Sequence, residues 1–356
     1  MATIDHQLNL HVAAMSQSLN ASKRTPLLRT QSSPGPEKSL PVKNTRKDPN
    51  GTSNSPGDAS IYFVGNATVI IEWNGFRILT DPNFIHKGDQ VHLGPGVNAT
   101  RETNPAVDLE NLPPIDLILL SHYHEDHFDR FVEASLHRAV PIISTEHAKS
   151  NLSSVSAENG GPYSNVTSLD FFESSKIPVP AGNEGAKKGQ SQIVKITAMP
   201  GSHVPPGPIA VANAVLQAIP PSNGWLIEFG YDTGDSDNEI KCIYSVYISG
   251  DTLFVDELKQ IPQKVARKID LMLVHLGGTT VPSPALPVAM VTMDAAQGIQ
   301  LMDLVKPKVT IPIHYDDYSV FASPLSDFQE AVGNGGKDSE VVYLERGDKF
   351  LLDFEK

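Results

Sequence analysis

The sequence predicts an α/β fold, and three observations support this prediction. Short runs of β-branched and aromatic residues, the first at Ile61-Tyr-Phe-Val64, recur along the chain and are separated by Gly- and Asn-rich turns. Segments with helical spacing and helix-start signals lie between these runs. Of the 356 residues, 40% are hydrophobic, which is enough for a sizeable core. We therefore expect one folded domain over residues 58–356.

Residues 1–57 differ from the rest of the chain. They are rich in Ser, Pro, Asn, Thr and Lys, and contain few aliphatic residues after Leu28. Such a segment cannot bury enough apolar surface to offset its ordering entropy, so we expect a disordered tail. The tail carries seven Lys/Arg and three Asp/Glu, a balance of +4, so a total charge of −13 leaves −17 on the body. An acidic body repels phosphates, which predicts no nucleic-acid partner.

The strands are predicted from their residue types and from the turns that separate them. The pair around Asn74-Gly75 is a hairpin prediction, because Asn-Gly fits the tight turn between two antiparallel strands. The predicted strands are Ile61–Val64, Ala67–Trp73, Phe76–Thr80, Ile115–Leu120, Pro141–Ser144, Gln192–Met199, Trp225–Phe229, Cys242–Ser249, Asp270–His275, Lys308–Pro312, Val341–Glu345 and Lys349–Phe354.

Three helices are predicted among these strands. The first runs from Phe254 to Gln260. Thr292 can cap the second, from Asp294 to Val305, and Ser323-Pro324 resembles the start of the third, Leu325–Val332. Residues 82–114, 173–191 and 201–224 are predicted as long loops, and the apolar, Pro-rich part of the last one, Val204–Pro221, is a candidate wall for a substrate cleft.

Composition restricts the location of the protein. No apolar run approaches the roughly 18–20 residues that cross a bilayer, so we expect no stable membrane insertion. Cys242 is the single cysteine, which excludes an intrachain disulfide and fits a reducing compartment. With no apolar N-terminal leader in the sequence, a cytoplasmic location is expected.

A dense cluster of histidines and acids carries the functional signal. In Leu119-Leu-Ser-His-Tyr-His-Glu-Asp-His-Phe128, an apolar strand is followed by three histidines and two acids. His122 and His124 are two residues apart, so an extended backbone directs both to one side. Asp126 and His127 are adjacent and can face a second ion beside the first. Imidazole and carboxylate groups at this spacing predict a metal site.

His122-x-His124-x-Asp126-His127 resembles the HxHxDH motif of the metallo-β-lactamase superfamily. The resemblance implies a four-layer αββα sandwich and two adjacent divalent metal ions. It further implies that His122, His124 and a downstream His hold the first ion, that Asp126, His127 and a C-terminal His hold the second, and that a later Asp bridges both. Zn²⁺ is the first candidate for an imidazole-rich site, with Mn²⁺ and Fe²⁺ as open alternatives.

The rest of the chain supplies the remaining ligands in the implied order. His203 follows a predicted strand in Met199-Pro-Gly-Ser-His203, Asp251 lies in Ser249-Gly-Asp-Thr252, and His314 ends Thr310-Ile-Pro-Ile-His314. All three fall at strand ends, where α/β sheets present functional residues. The alternative for Asp251 is a helix cap.

Upstream residues resemble one branch of the superfamily. Gly65-Asn-Ala-Thr-Val-Ile-Ile-Glu72 and Leu79-Thr-Asp-Pro82 are similar to the opening hairpin of the lactonase-like proteins and of the phospholipase D that releases N-acylethanolamines. Asn66 stands where that branch commonly has His, so Asn66 is not counted as a site residue. Asp81 either supports the metal loop or only forms a turn with Pro82.

The implied activity is hydrolysis by a hydroxide that bridges the two ions. Asp126 can shuttle a proton to the leaving group. His275 is predicted to contact substrate, with a buried, hydrogen-bonded histidine as the alternative, and the Tyr315 hydroxyl is predicted to donate to an oxyanion. The expected substrate is a small lactone, lactam or related acyl compound. A phosphodiesterase and a non-catalytic metal-binding protein remain alternatives, and the oligomeric state is open.

Overall fold

The computed structural model describes residues 24–50, 59–94, 96–180, 191–216, 219–233, 239–265 and 267–354. Within these ranges the strands, in chain order, are β1 (Thr45–Arg46), β2 (Ala59–Gly65), β3 (Thr68–Trp73), β4 (Phe76–Thr80), β5 (Gln90–His92), β6 (Asn98–Thr100), β7 (Leu117–Leu119), β8 (Ile142–Ser144), β9 (Val166–Ser168), β10 (Ser174–Pro178), β11 (Gln192–Met199), β12 (Gly224–Asp232), β13 (Ile240–Ile248), β14 (Leu271–His275), β15 (Thr280–Ser283), β16 (Leu286–Met290), β17 (Val309–Ile313) and β18 (Lys349–Leu351).

The α-helices of the described ranges are short. They are α1 (Arg130–Ser135), α2 (Glu146–Leu152), α3 (Pro208–Leu216), α4 (Ile261–Lys264), α5 (Ala295–Val305) and α6 (Leu325–Asn334). None of them has the length and apolar character that a bilayer span requires.

Two large sheets organise the domain. One has eight strands in the order β1-β18-β2-β3-β4-β7-β8-β9, and the other has six in the order β10-β11-β12-β13-β14-β17. The remaining strands form two separate hairpins, β5-β6 and β15-β16. The Asn74-Gly75 turn joins β3 to β4 with Trp73 opposite Phe76, as the sequence predicted.

Side chains alternate between an inner core and two outer cores. In β2, Ile61 and Phe63 join a cluster that contains residues of both sheets, whereas Tyr62 and Val64 join a second cluster under α1 and α2. The opposite sheet alternates in the same way, and its outer face packs against α5 and α6. This pattern is that of two sheets packed face to face, each covered by helices. The predicted four-layer αββα sandwich is confirmed.

Parallel strands determine where the site forms. β4, β7, β8 and β9 run parallel in the first sheet, and β13, β14 and β17 run parallel in the second. Because the carboxyl ends of parallel strands meet at one edge of a sheet, the loops that follow β7, β13 and β17 lie at matching edges.

The prediction of a disordered tail is wrong for residues 24–50. Leu27 and Leu28 are buried in the outer core under α1, and β1 pairs with β18. Arg24 binds the buried carboxylate of Asp116 at 2.6 Å. Few apolar residues are needed for this attachment, so composition alone did not reveal it. Residues 1–23 and 51–58 lie outside the described residues, and the domain boundary after residue 57 stays a prediction.

The predicted helix starts are shifted. Asp294, rather than Thr292, caps α5, because its side chain accepts a hydrogen bond from the amide of Gln297. Pro324, rather than Ser323, occupies the N-cap position of α6. The predicted helix at Phe254–Gln260 is a 3₁₀ helix over Asp256–Gln260 that leads into α4.

Other predicted elements also differ, and the first is the loop predicted over residues 82–114, which contains β5 and β6. Val341–Glu345 is not a strand, because it makes one bridge, from Val341 to Thr310. The loop predicted over residues 173–191 contains β10, and the loop predicted over residues 201–224 contains α3.

Candidate metal centre and active site

The loop that follows β7 supplies four of the seven candidate ligands. It runs from Ser121 to His127, and its turn closes through the amide of His127, which donates to the carbonyl of His124 at 3.0 Å. His122 and His127 have no exposed surface, whereas 14% of the His124 side chain is exposed. The loop therefore places most of its ligand groups inside the protein and leaves His124 at the surface of a cavity.

The seven predicted ligands form two groups from residues that are distant in sequence. His122, His124 and His203 make the first cluster, and Asp126, His127, Asp251 and His314 make the second. Within each cluster the ligand atoms lie within 4.8 Å of one another. The structure thus brings together all seven residues that the sequence predicted as metal ligands.

The carboxylate of Asp251 lies between the two clusters. Its Oδ2 is 3.6 Å from Nε2 of His203 in the first cluster. The same atom is 3.1 Å from Nε2 of His127 and 3.6 Å from Nε2 of His314 in the second. One oxygen therefore faces ligand nitrogens of both clusters.

Unpaired buried polar atoms show that this donor set fits metal ions. A buried donor or acceptor without a partner costs roughly 1–3 kcal/mol, so such atoms are rare outside functional sites. The clusters nevertheless concentrate several atoms that lack a hydrogen-bond partner within the described ranges: Nε2 of His122, His127 and His314, both ring nitrogens of His124, Oδ1 of Asp126 and Oδ2 of Asp251. Imidazole nitrogens and carboxylate oxygens in this arrangement match the preferences of divalent transition metals.

The second ring nitrogen of most of these histidines is held by another group. Nδ1 of His122 lies 2.9 Å from the hydroxyl of Ser121, and Nδ1 of His314 lies 3.2 Å from the carbonyl of Leu276. Nδ1 of His203 bonds to the carbonyl oxygen of Val291. These contacts fix the ring orientation and leave Nε2 available for a metal.

Asp81 supports the loop after β7, as one of the two sequence interpretations predicted. Its Oδ1 accepts a hydrogen bond from the amide of Ser121 at 2.6 Å, and its Oδ2 accepts one from the Ser121 hydroxyl at 2.9 Å. Oδ2 also lies 3.1 Å from Nδ1 of His127. Asp81 has a φ of 35°, a strained value that persists where surrounding contacts hold it.

The structure does not support the predicted substrate contact of His275. This residue has no exposed surface, and its Nδ1 lies 2.9 Å from Oδ1 of Asp251. Its amide also donates to the hydroxyl of Ser249 at 2.9 Å. His275 is therefore the buried, hydrogen-bonded histidine of the alternative interpretation, and it orients Asp251 from behind.

The predicted oxyanion contact of Tyr315 is also contradicted. Its ring packs in the outer core beside α5 and α6, and its hydroxyl donates to the carbonyl of Leu344 at 3.5 Å. Tyr315 follows His314 in sequence, but the backbone at His314 adopts a φ of 60°, which changes the direction of the chain there. Tyr315 therefore packs in the core.

Burial and nearby charges shift the pKa values of the buried histidines differently in the two clusters. Burial opposes a charged ring at His127, but the carboxylates around it, first that of Asp251, raise its pKa well above the usual value. Burial likewise opposes charge at His314, and Asp251 again outweighs it, so the pKa of His314 is raised. In return, burial disfavours the Asp251 carboxylate, but His127 and His314 hold the pKa of Asp251 well below its usual value.

In the first cluster, the pKa values of His122 and His203 are lowered instead. Burial and the neighbouring His127 lower the pKa of His122 well below its usual value. Burial lowers the pKa of His203 to about 4, even though Asp251 opposes this change. Near neutral pH the rings of His122 and His203 are therefore uncharged and ready to bind a metal.

A cavity of about 530 Å³ opens beside His124. Tyr123 and Phe128 contribute aromatic surface to its lining, and Arg130 and Pro220 lie at other points of it. Arg130 is paired with Glu125 at 2.6 Å. Pro220 belongs to the apolar segment that the sequence predicted as a cleft wall. Elsewhere in that segment, Val211 and Val215 of α3 are exposed.

Sequence reasoning missed the groups that orient the ligands. Asn66 is not among the predicted site residues, yet its Nδ2 donates to the carbonyl of Asp126 at 2.6 Å. The hydroxyl of Ser121 and the carbonyl of Val291 also contact ligand rings and are not predicted. A main-chain carbonyl has no sequence signal, whereas the position of Ser121 directly before the motif is a signal for a supporting role.

Comparison with known proteins agrees with this geometry. Residues 76–315 match a family described as the beta-lactamase superfamily domain. A UPF0173 metal-dependent hydrolase of Archaeoglobus fulgidus is 25% identical over 294 residues, which are 82% of this chain and 97% of the relative. Another protein of that name, from Polynucleobacter asymbioticus, is 28% identical over 303 residues, with 82% of this chain and 86% of the relative covered.

Solved structures show the same fold. A possible metal-dependent hydrolase from Veillonella parvula matches with a TM-score of 0.62 and 17% identity, over 83% of this chain and 100% of that chain. An isothiocyanate hydrolase from Delia radicum gut bacteria matches with a TM-score of 0.61 and 15% identity, over 82% of this chain and 98% of that chain. The lactonase-like branch stays a prediction. Since the family match covers most of the described domain, the chain belongs to the beta-lactamase superfamily.

Proposed function

We propose that this protein is a metal-dependent hydrolase with two divalent ions, and that Zn²⁺ is the first candidate for both. The first ion is assigned to His122, His124 and His203. The second is assigned to Asp126, His127 and His314, and Asp251 joins the two. The metal-dependent hydrolases among its relatives support the general activity, and the imidazole-rich donor set supports zinc.

The position of Asp251 Oδ2 carries the proposal of two adjacent ions. This atom is within 3.6 Å of Nε2 of His203 and of His314, which belong to different clusters. A carboxylate buried among histidines without a hydrogen bond to this oxygen is costly unless positive charge compensates it. Divalent ions held by the two clusters would supply such positive charge on both sides of the Asp251 carboxylate.

The metal ions and the side chains have different roles in the proposed hydrolysis. When bound, divalent ions supply water activated at neutral pH and a Lewis acid for the substrate oxygen. Asp126 has a second oxygen, Oδ1, without a hydrogen-bond partner within the described ranges, 3.3 Å from Nδ1 of His124. We assign Asp126 the transfer of a proton from the attacking water to the leaving group. His275 holds Asp251 in place from the protein interior.

The cavity beside His124 favours a neutral acyl substrate over a phosphodiester. Among the described residues that line it, Arg130 is the only Lys or Arg, and Glu125 neutralises it at 2.6 Å. Glu133 in the same lining adds a further acid, and the protein as a whole carries −13. Apart from the proposed metal ions, the lining therefore offers a phosphodiester no uncompensated cation, and for this reason we propose a small lactone, lactam or related acyl compound.

The test compares substrates on protein with quantified metal content. The hydrolysis of a panel of lactones and lactams and of a generic aromatic phosphodiester is measured with and without a chelator. Chelator-sensitive ring opening supports the proposal, and cleavage of the phosphodiester alone replaces it with a phosphodiesterase. Inertness towards every substrate, together with metals whose coordination positions are all filled by protein groups, would favour a non-catalytic metal-binding protein.

A pair of histidine variants controls this test. His124→Ala should abolish turnover, because it removes a first-cluster ligand that borders the cavity. His86→Ala serves as the matched control, since His86 is exposed and contacts Asp108 instead. Wild-type turnover in metal-quantified His124→Ala protein would refute the scheme. A cytoplasmic location and the absence of a nucleic-acid partner remain part of the proposal.

A further inference from the structure

A buried carboxylate lies directly behind the second cluster. Asp317 has no exposed surface, and its Oδ2 accepts a hydrogen bond from the amide of Asn66 at 2.8 Å. Its Oδ1 lies 3.0 Å from Nη2 of Arg101 and also accepts a hydrogen bond from the hydroxyl of Thr103. Arg346 approaches the same oxygen at 3.0 Å. Asp317 therefore links the main chain of Asn66 to the side chains of Arg101 and Arg346.

Asn66 connects the two loops that carry the second cluster. Its carbonyl accepts a hydrogen bond from the amide of His314 at 3.2 Å, and its Nδ2 donates to the carbonyl of Asp126 at 2.6 Å. Its φ is 54°, a left-handed value that Asn adopts more readily than most residues. Through this one residue, the loop after β7 and the loop after β17 are held at a set separation.

A second set of hydrogen bonds connects Arg101 to the loop after β7. Nη1 of Arg101 donates to Oδ1 of Asn83, and Nδ2 of Asn83 donates to the carbonyl of Glu125 at 3.0 Å. Arg101 is 1% exposed and Asn83 is fully buried. Since both side chains are enclosed, neither can reorient towards water without disturbing its partner.

The first cluster depends on other supports. His122 is held by the hydroxyl of Ser121, and His203 by the carbonyl of Val291. Neither residue lies on the loop after β17. A change in the separation between that loop and the loop after β7 therefore affects the ligand geometry of the second cluster more than that of the first.

We propose that Asn66, Asn83, Arg101 and Asp317 form a positioning network that sets the affinity of the second cluster for its metal ion. This inference rests on the proposed function, in which that cluster binds a divalent ion. None of the four residues belongs to the proposed ligand set, and they act by holding the carbonyls of Glu125 and Asp126 and the amide of His314. Groups of this kind change metal affinity by about 10–100-fold when they are replaced.

Two variants test the network, and a third is the matched control. Asn66→Gly keeps both main-chain hydrogen bonds and tolerates the positive φ, but loses the contact with Asp126. Asp317→Asn keeps the side-chain shape and removes the charge between Arg101 and Arg346. The control is Asp270→Asn.

Asp270 resembles Asp317 in being buried, in accepting a hydrogen bond from a main-chain amide and in pairing with two cationic side chains. It is 4% exposed, accepts a hydrogen bond from the amide of Ser245 at 2.9 Å, and pairs with Arg267 and Lys308. It stands directly before β14, at the opposite end of the strand from His275. Loss of the Asp270 charge therefore reports the general effect of removing a buried ion pair.

The measurement is the dissociation constant of Zn²⁺, from chelator competition on full-length protein stripped of metal. Backgrounds that lack one cluster separate the two sites: His203→Ala leaves the second, and His314→Ala leaves the first. In the His203→Ala background, Asn66→Gly and Asp317→Asn should weaken Zn²⁺ binding by about 10–100-fold, and Asp270→Asn should not change it. In the His314→Ala background, none of the three should have an effect.

The possible results of this experiment distinguish failure of the positioning network from failure of the proposed function. Equal weakening in the two backgrounds, or no weakening in either, would overturn the positioning network while the metal sites stand. Wild-type protein that binds no Zn²⁺, Mn²⁺ or Fe²⁺ would overturn the proposed function itself, and with it the network. Circular dichroism of each metal-free variant verifies the fold, and Asn66→Gly carries the test alone if Asp317→Asn does not fold.

Discussion

Acidification should weaken metal binding at the second cluster much more than at the first. The raised pKa values of His127 and His314 mean that, in the metal-free protein, both rings keep a proton up to a higher pH than an ordinary histidine does. A metal can bind their Nε2 atoms only after these protons leave. The lowered pKa values of His122 and His203 mean that no proton has to leave these two rings.

The size of the effect follows from the number of protons displaced. Each proton that a metal must displace changes its apparent affinity by a factor of ten per pH unit, or about 1.4 kcal/mol. Two protons give about 100-fold per unit at the second cluster, in the pH range below both raised pKa values. Proton and metal compete for the same nitrogen, so affinity falls as the pH falls. The protonation of His203 adds no comparable loss at the first cluster until the pH approaches its pKa of about 4.

The assay is Zn²⁺ titration by calorimetry between about pH 8 and about pH 6. Buffers with different ionisation enthalpies give the number of protons released per ion. His203→Ala and His314→Ala proteins isolate the second and the first cluster, respectively. At about pH 6, below the ordinary pKa of histidine, we expect about two protons at the second cluster and fewer at the first. Equal proton release at the two clusters, or more at the first, would refute the electrostatic reasoning.

Three other changes probe packing, the corrected site and stability. Gly230→Ala would place a Cβ 2.2 Å from the carbonyl oxygen of Lys241, so the free energy of unfolding in urea should fall by about 1–3 kcal/mol, and an unchanged value would contradict the packing. Tyr315→Phe should retain wild-type turnover, because the hydroxyl lies in the outer core and donates to the carbonyl of Leu344; a large loss of turnover would restore its catalytic role. In the metal-free protein, the lowered pKa of Asp251 gives stability that is present above its unfolded value of about 4 and is lost as the pH falls further. Denaturant titrations at several pH values should show this loss, and Asp251→Asn should reduce it.

The metal ligands could be predicted from sequence because they follow strands that sequence also identifies. Apolar runs end within three residues before His122, Asp251 and His314, and the structure places all three at the same edge of the sandwich. Two features of the sequence therefore identify these functional residues, namely the residue type and the position at the end of a strand. The four-layer arrangement followed from the resemblance, and the alternating burial of β2 and β14 agrees with it.

The supporting contacts could not be predicted in this way, because they join distant segments through the main chain. Asn66 and Asp126 are 60 positions apart, and the bond between them uses a carbonyl that every residue possesses. The attachment of Arg24 to Asp116 spans 92 positions and depends on a buried carboxylate that composition does not distinguish. Tyr315 was misplaced because a positive φ at the preceding residue changes the chain direction, and no sequence pattern indicated it.

The division of each cluster between the two sheets has a further consequence for stability. His122, His124, Asp126 and His127 follow β7 of the eight-stranded sheet, whereas His203, Asp251 and His314 follow β11, β13 and β17 of the six-stranded sheet. Under the proposed function, each ion therefore links the two sheets at one edge of their shared core. Ligands that bind only the folded state stabilise it by RT ln(1 + [L]/Kd), about 4 kcal/mol when the free metal is roughly 1,000 times Kd. Metal that holds the sheets together should consequently protect both against unfolding, so the sheets should lose this protection together when the metal is removed.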